Sequence, residues 1–267
     1  MLLRMSVFYV LTWIFLVVLG GIQQEMGIPS PDISLPQWGP GIAALLMILI
    51  FRKDRHTLVF FSKDTPAARY LAAVSIPAGA ALLIWLIAVL LDIQTSGNPP
   101  AYASLPLFLL WMPFGALGEE IGWRGHLHKT LDSRMRGIVS SVVVGLLWMP
   151  IHLSFFERGW VMVFLLFLLI TAYSITIFAL VHDRGFDILL ATIFHLSINA
   201  GNLLFFDIIY ETPLMVINAS VWVILAAIAV MRKPSIFLAQ GTSVQEREKH
   251  LPVHHRVEPA HQRPDAD

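Results

Sequence analysis

The chain has 267 residues, of which 57% are hydrophobic and 13% charged, with a formal net charge of +0 and a mean hydropathy of +0.71. Soluble globular proteins carry about 25% charged residues. This chain cannot coat a water-facing surface, which excludes an ordinary soluble enzyme, a disordered protein and a nucleic-acid binder. It contains no cysteine, so disulfides, thiolate metal sites and cysteine nucleophiles are excluded as well.

A membrane-spanning helix needs about 20 mostly apolar residues. In chain order, apolar segments fall near 5–21, 39–51, 70–91, 105–127, 137–156, 160–181, 188–206 and 213–231. The second is short. The fourth is interrupted by Pro113, Gly115, Gly118 and two adjacent carboxylates. The first is longer than a signal-peptide core and no A-x-A site follows it, so it reads as a span.

Loop charges fix the expected orientation. With the N-terminus inside, one set of segments holds Arg4, Arg52, Lys53, Arg55, Lys63 and Arg69. The same set continues with Arg124, Lys129, Arg134, Arg136, Arg184, Arg232 and Lys233. The opposite loops hold Glu25, Asp32, Asp92, Glu157, Asp207 and Glu211, with Arg158 as their only basic residue. The positive-inside rule then puts both termini in the cytoplasm. The expected fold is an all-α, polytopic membrane bundle of about eight transmembrane helices over residues 1–233, in a plasma or inner membrane. Residues 234–267 are rich in Pro, His and charge and read as a disordered cytoplasmic tail. Its His250, His254, His255 and His261 are taken as solvated.

Ionisable groups are costly inside a bilayer and mark sites where they occur. The fourth segment carries Glu119, Glu120 and Arg124; the fifth carries His152, after Trp148 and Pro150; the seventh carries His195, Ser197, Asn199 and Asn202. Glu120 and Arg124 are four apart, which suits an ion pair. Glu119 is turned about 100° away on a regular helix and is expected to stay unpaired. His195, Asn199 and Asn202 share one stripe, which must face protein or water. Pro150 removes a helical hydrogen bond, and a kink there would aim His152 at a polar interior. Trp123, Trp148, Phe155, Phe156 and Phe194 read mostly as packing or interface residues. His126, His128, Lys129 and Arg134 read as interface residues, and His56 and His182 as loop residues.

Three motifs carry a family resemblance. GluGluIleGlyTrpArgGly resembles the EExxxR motif of the CPBP family of CAAX-protease and bacteriocin-processing intramembrane endopeptidases. TrpMetProIleHis, ending at His152, resembles its FxxxH motif, with Trp148 where Phe is common. HisLeuSerIleAsn, from His195 to Asn199, resembles HxxxN. The resemblance covers about 105–206, the expected protease core. It implies hydrolysis of a peptide bond in a membrane protein or lipid-modified peptide, at the bilayer and without nucleic acid. By that resemblance Glu119 is the general base, His152 holds or polarises the water, and His195 and Asn199 stabilise the oxyanion. Glu120 and Arg124 brace the site or contact substrate. No cofactor is firmly implied. A divalent metal such as zinc, held by Glu119, His152 and His195, is the alternative to a metal-free glutamate mechanism, and no HExxH motif supports it. The competing functions are a non-catalytic scaffold or immunity-type protein of the same fold, and an ion- or proton-coupled transporter.

Overall fold

A computed structural model of the chain describes residues 2–29, 33–51, 58–93, 105–205 and 211–238. The protein is a multi-pass membrane protein, and among the described residues all regular structure is helical. Each apolar segment forms helix. α1 is Leu2–Glu25, α2 Gly39–Ile50, α3 Ala67–Leu90, α4 Leu105–Glu120, α5 Lys129–Asp132 and α6 Gly137–Trp148. Then follow α7 Trp160–Val181, α8 Ile188–Phe205, α9 Thr212–Arg232 and α10 Pro234–Leu238. Four stretches are long and apolar enough to cross a membrane: α1, α3, α7 with its following turn, and α9. The others are shorter. The 12 residues of α2 rise only about 18 Å at 1.5 Å per residue.

Two segments depart from the continuous helices expected. The fourth runs from α4 into a π-helical stretch, Ile121–His128, before α5. The fifth stops at Trp148, and a 3-10 turn over Met149–Ile151 carries Pro150. Proline has no N–H to donate and crowds the preceding turn. The chain therefore leaves the helix, with His152 at φ −90°, ψ 61°, before a second 3-10 turn at Leu153–Arg158. The anticipated kink is a full break.

α7 is the central element. Two-thirds of its spanning window is buried, against 11% for α1, and it packs on α6, α8 and α9. α1 still joins the core, because buried Phe8 packs edge-on against Trp123.

The basic segments gather at one end of the bundle. Arg69 grips Asp183 with both terminal nitrogens, at 2.5 and 2.6 Å. Lys233 donates to the Ala179 carbonyl, and Ile188 and Leu189 donate to Val59 and Phe60. Buried Asp187 accepts from the backbone N–H of Ser62, the hydroxyls of Thr65 and Tyr70, and the N–H of Leu190 in the first turn of α8. One carboxylate thereby caps a helix and ties down the loop before α3. His128, expected at the interface, is instead fully buried, stacked on Phe178 with its Nε2 3.3 Å from Ser141 Oγ. His182 pairs with Asp132.

The expected tail starts too early. Residues 234–238 form α10, whose buried Phe237 packs on Phe178. The remainder, 239–267, lies outside the described residues, as do Asp32, Arg52, Lys53, Arg55, His56 and Asp207.

Glycines set the closest helix approach. Gly115, Gly118 and Gly122 recur at intervals of three and four on the fourth segment, opposite Gln37, Trp38, Pro40 and Gly41. A Cβ on Gly41 would lie 2.6 Å from the Gly118 carbonyl oxygen, and one on Gly122 would strike the Pro40 backbone. Small residues at this spacing let backbones touch. Overpacking such a contact costs about 1–3 kcal/mol. Gly122→Ala is therefore expected to lower the thermal unfolding midpoint in detergent, whereas Gly79→Ala, which meets nothing within 4 Å, should not.

Candidate active site

The glycine contact brings the turn Leu35–Trp38 onto α4, and Gln37 reaches Glu119 from there. Gln37 Nε2 donates to Glu119 Oε1 at 3.2 Å. Trp148 Nε1 donates to the other oxygen, Oε2, at 2.7 Å. Glu119 is 4% exposed. It makes no hydrogen bond with Arg124, as expected, but it is not unpaired: two neutral N–H donors hold it.

Glu120 has the charged environment. Its Oε1 accepts from Arg124 Nη1 at 2.8 Å, so the expected i,i+4 ion pair forms. The same oxygen lies 2.9 Å from His195 Nδ1. All three groups are buried, Glu120 and Arg124 completely. Glu120 Oε2 and two of the Arg124 guanidinium nitrogens have no hydrogen-bond partner. The guanidinium instead lies 4.2 Å from the Trp148 ring centre, a cation–π contact that a dry site strengthens. An ionised carboxylate only accepts. His195 Nδ1 therefore carries the proton toward Glu120 and leaves Nε2 for another partner.

Trp148 joins these groups. Its N–H holds Glu119, its face covers Arg124, and it packs edge-on against His195 and His152, at 5.3 and 6.2 Å between ring centres. His152 is half-buried, with Nδ1 3.3 Å from the Met149 carbonyl. Beside them is a cavity of about 120 Å³. Trp148, His152, His195 and Asn199 line it, together with apolar residues of α7 and α8. The structure thus brings together all three polar segments. Glu119 does not line the cavity, whereas Trp148 does, so the indole edge screens the carboxylate in this conformation.

Among the described residues no three His, Asp or Glu side chains are placed to share one ion. Both Glu119 oxygens face N–H donors and His195 Nδ1 faces Glu120.

Comparison with known proteins fits this geometry. The family model for type II CAAX prenyl endopeptidase Rce1-like proteins matches residues 101–201. The similarity to that family covers residues 101–201. They include Glu119, Glu120, Arg124, His152, His195 and Asn199, the positions that carried the CPBP resemblance. Relatives named lysostaphin resistance protein A occur in Staphylococcus epidermidis, 29% identical over 53% of this chain, and Staphylococcus haemolyticus, 25% identical over 77%. The alignments cover 38% and 58% of those proteins' own length.

Sequence reasoning passed over Gln37, which lies outside the matched residues 101–201 and in no charged pattern. It read Trp148 as packing, although an indole N–H inside an apolar segment needs an acceptor, which was the available signal.

Removing one member of a buried ion pair costs about 3–5 kcal/mol, because the other charge is left bare. Arg124→Leu should destabilise the protein in detergent by that amount. The Arg124→Leu/Glu120→Leu pair should recover part of the loss, read as a non-additive shift in unfolding free energy.

Proposed function

We propose that the protein is an intramembrane endopeptidase that hydrolyses a peptide bond in a membrane protein or lipid-modified peptide. The observation that supports this is the convergence of His152, His195 and Asn199 on one cavity, with Glu119 held directly behind Trp148. Glu119 is the general base. Each of its oxygens keeps a lone pair beyond the N–H bond it accepts, so a water reaching past the indole edge can lose a proton to it. His152 orients that water. The hydroxide attacks the substrate carbonyl, and the carbonyl oxygen gathers negative charge.

Asn199 and His195 receive that charge. Because Nδ1 of His195 already donates to Glu120, Nε2 can donate only when the ring is an imidazolium. Glu120, itself held by Arg124, faces the ring on its other side. Such preorganised donors are worth about 100- to 1,000-fold in rate each. The protonated Glu119 then returns its proton to the leaving amine. As proposed, this route uses side chains alone.

The relatives' name and the two donors on Glu119 favour one other reading, a non-catalytic membrane protein involved in resistance. N-terminal proteomics of membranes carrying wild type or Glu119→Ala separates the two. Hydrolysis predicts new substrate N-termini in wild type only; identical profiles favour the non-catalytic protein. With a substrate in hand, Asn199→Ala should lower kcat by about 100-fold or more with little change in unfolding midpoint. EDTA should leave cleavage unchanged, and loss of activity that zinc restores would overturn the metal-free route.

A further inference from the structure

The cavity beside His195 extends to polar groups that the mechanism does not use. Tyr173 on α7 and Asn202 on α8 both line it, and Asn218 on α9 stands beside the Tyr173 hydroxyl. Tyr173 is 4% exposed and Asn218 3%. The Tyr173 hydroxyl faces both the Asn202 and the Asn218 amides, but neither it nor the Asn218 amide oxygen completes a hydrogen bond of good geometry. Buried polar atoms are nearly always paired, and one left open needs an explanation. The tyrosine ring cannot easily turn away, because it packs edge-on against Trp222 at 4.7 Å and 88°.

Asn202 also borders a second cavity of about 10 Å³, shared with Pro77, Ala81, Ile84 and Trp222. That is room for about one water. A larger ligand group must therefore come from the main cavity.

The spacing identifies what that group belongs to. Asn202 follows His195 by seven residues on one face of α8, about 10 Å along the axis. An extended peptide advances about 3.3 Å per residue. The rest of the lining is largely apolar and includes Leu166, Leu169, Ile170 and Ile198.

The geometry points to a specificity subsite in which Tyr173 and Asn202, with Asn218 beside the Tyr173 hydroxyl, bind an uncharged hydrogen-bonding group of the substrate, about three residues from the scissile bond. The inference rests on the endopeptidase reading. Of the described residues lining the cavity, His152 and His195 belong to the reaction centre and the others at this pole are neutral. A charged substrate residue would be desolvated there without a counter-charge, which is unfavourable. A side-chain amide, a hydroxyl or a backbone N–H has the required chemistry.

The test uses the full chain in proteoliposomes and quenched fluorescent peptides spanning a Glu119-dependent cleavage site. Residues on each side of the bond are scanned with Gln, Leu and Lys, and by backbone N-methylation. One neutral hydrogen bond supports a preference of about tenfold in kcat/KM. Wild type should prefer Gln to Leu by that factor at the third position and reject Lys, if a side chain is read. If the backbone is read, N-methylation there should cost the same factor. Tyr173→Phe should bring the ratio to within about twofold of unity, and Asn202→Leu should do so independently. An unchanged ratio in a Tyr173→Phe protein that unfolds like wild type would overturn the subsite alone. Absence of any Glu119-dependent cleavage would overturn the endopeptidase reading and the subsite with it.

Discussion

An ionised carboxylate removed from water must be met by opposite charge and hydrogen bonds, or the structure around it fails. Glu120 is fully buried, and its Oε1 is shared by Arg124 from its own helix and His195 from α8. That one oxygen fixes the distance between the fourth and seventh apolar segments. It also fixes the tautomer of His195. Asn199, one turn further along α8, is set by the same anchor, because a helix face moves as a unit. The rest of the site is arranged around this charge cluster.

Such a cluster needs backbones close enough for short side chains to meet. The glycines on α4 and on the π-helical stretch let the turn before α2 lie against them, which is how Gln37 reaches Glu119. π-helical geometry is unusual and concentrates at functional sites; here it holds Trp123 and Arg124 in the core. The break at Pro150 performs the matching task on the other side. The 3-10 turn over Met149–Ile151 ends the helix and leaves the imidazole beside Trp148 and the cavity.

What was legible in the sequence followed from periodicity and cost. The helical segments, the common end of the basic loops and the Glu120–Arg124 pair depend on local spacing or on one-dimensional charge bias. Convergence of the fourth, fifth and seventh segments was legible because expensive residues occur in those three. Contacts that depend on approach between distant elements were not. Gln37 meets Glu119 across 82 residues, and no pattern within the segment holding Gln37 points to that carboxylate. The burial of His128 was missed because a histidine near charged residues looks interfacial until Phe178 and Ser141 are seen to enclose it. The fifth segment's helix, expected over 137–156, was drawn too long, since a proline in the sequence can either kink a helix or end it.

Adjacent glutamates with identical chemistry acquire different environments because a helix turns about 100° per residue. Glu120 faces a guanidinium and an imidazole; Glu119 faces an indole and an amide. Neutral donors orient a carboxylate without cancelling its charge, while a guanidinium does both. A base must keep its charge available and its geometry fixed, and the neutral donors on Glu119 suit the role proposed for it. Trp148 sets the two apart: its N–H points at one carboxylate while its face covers the partner of the other. A phenylalanine, common at this place in the related motif, would retain the ring above Arg124 and lose the donor to Glu119. In this chain the aromatic position is therefore part of how the two acids are distinguished, and not packing alone.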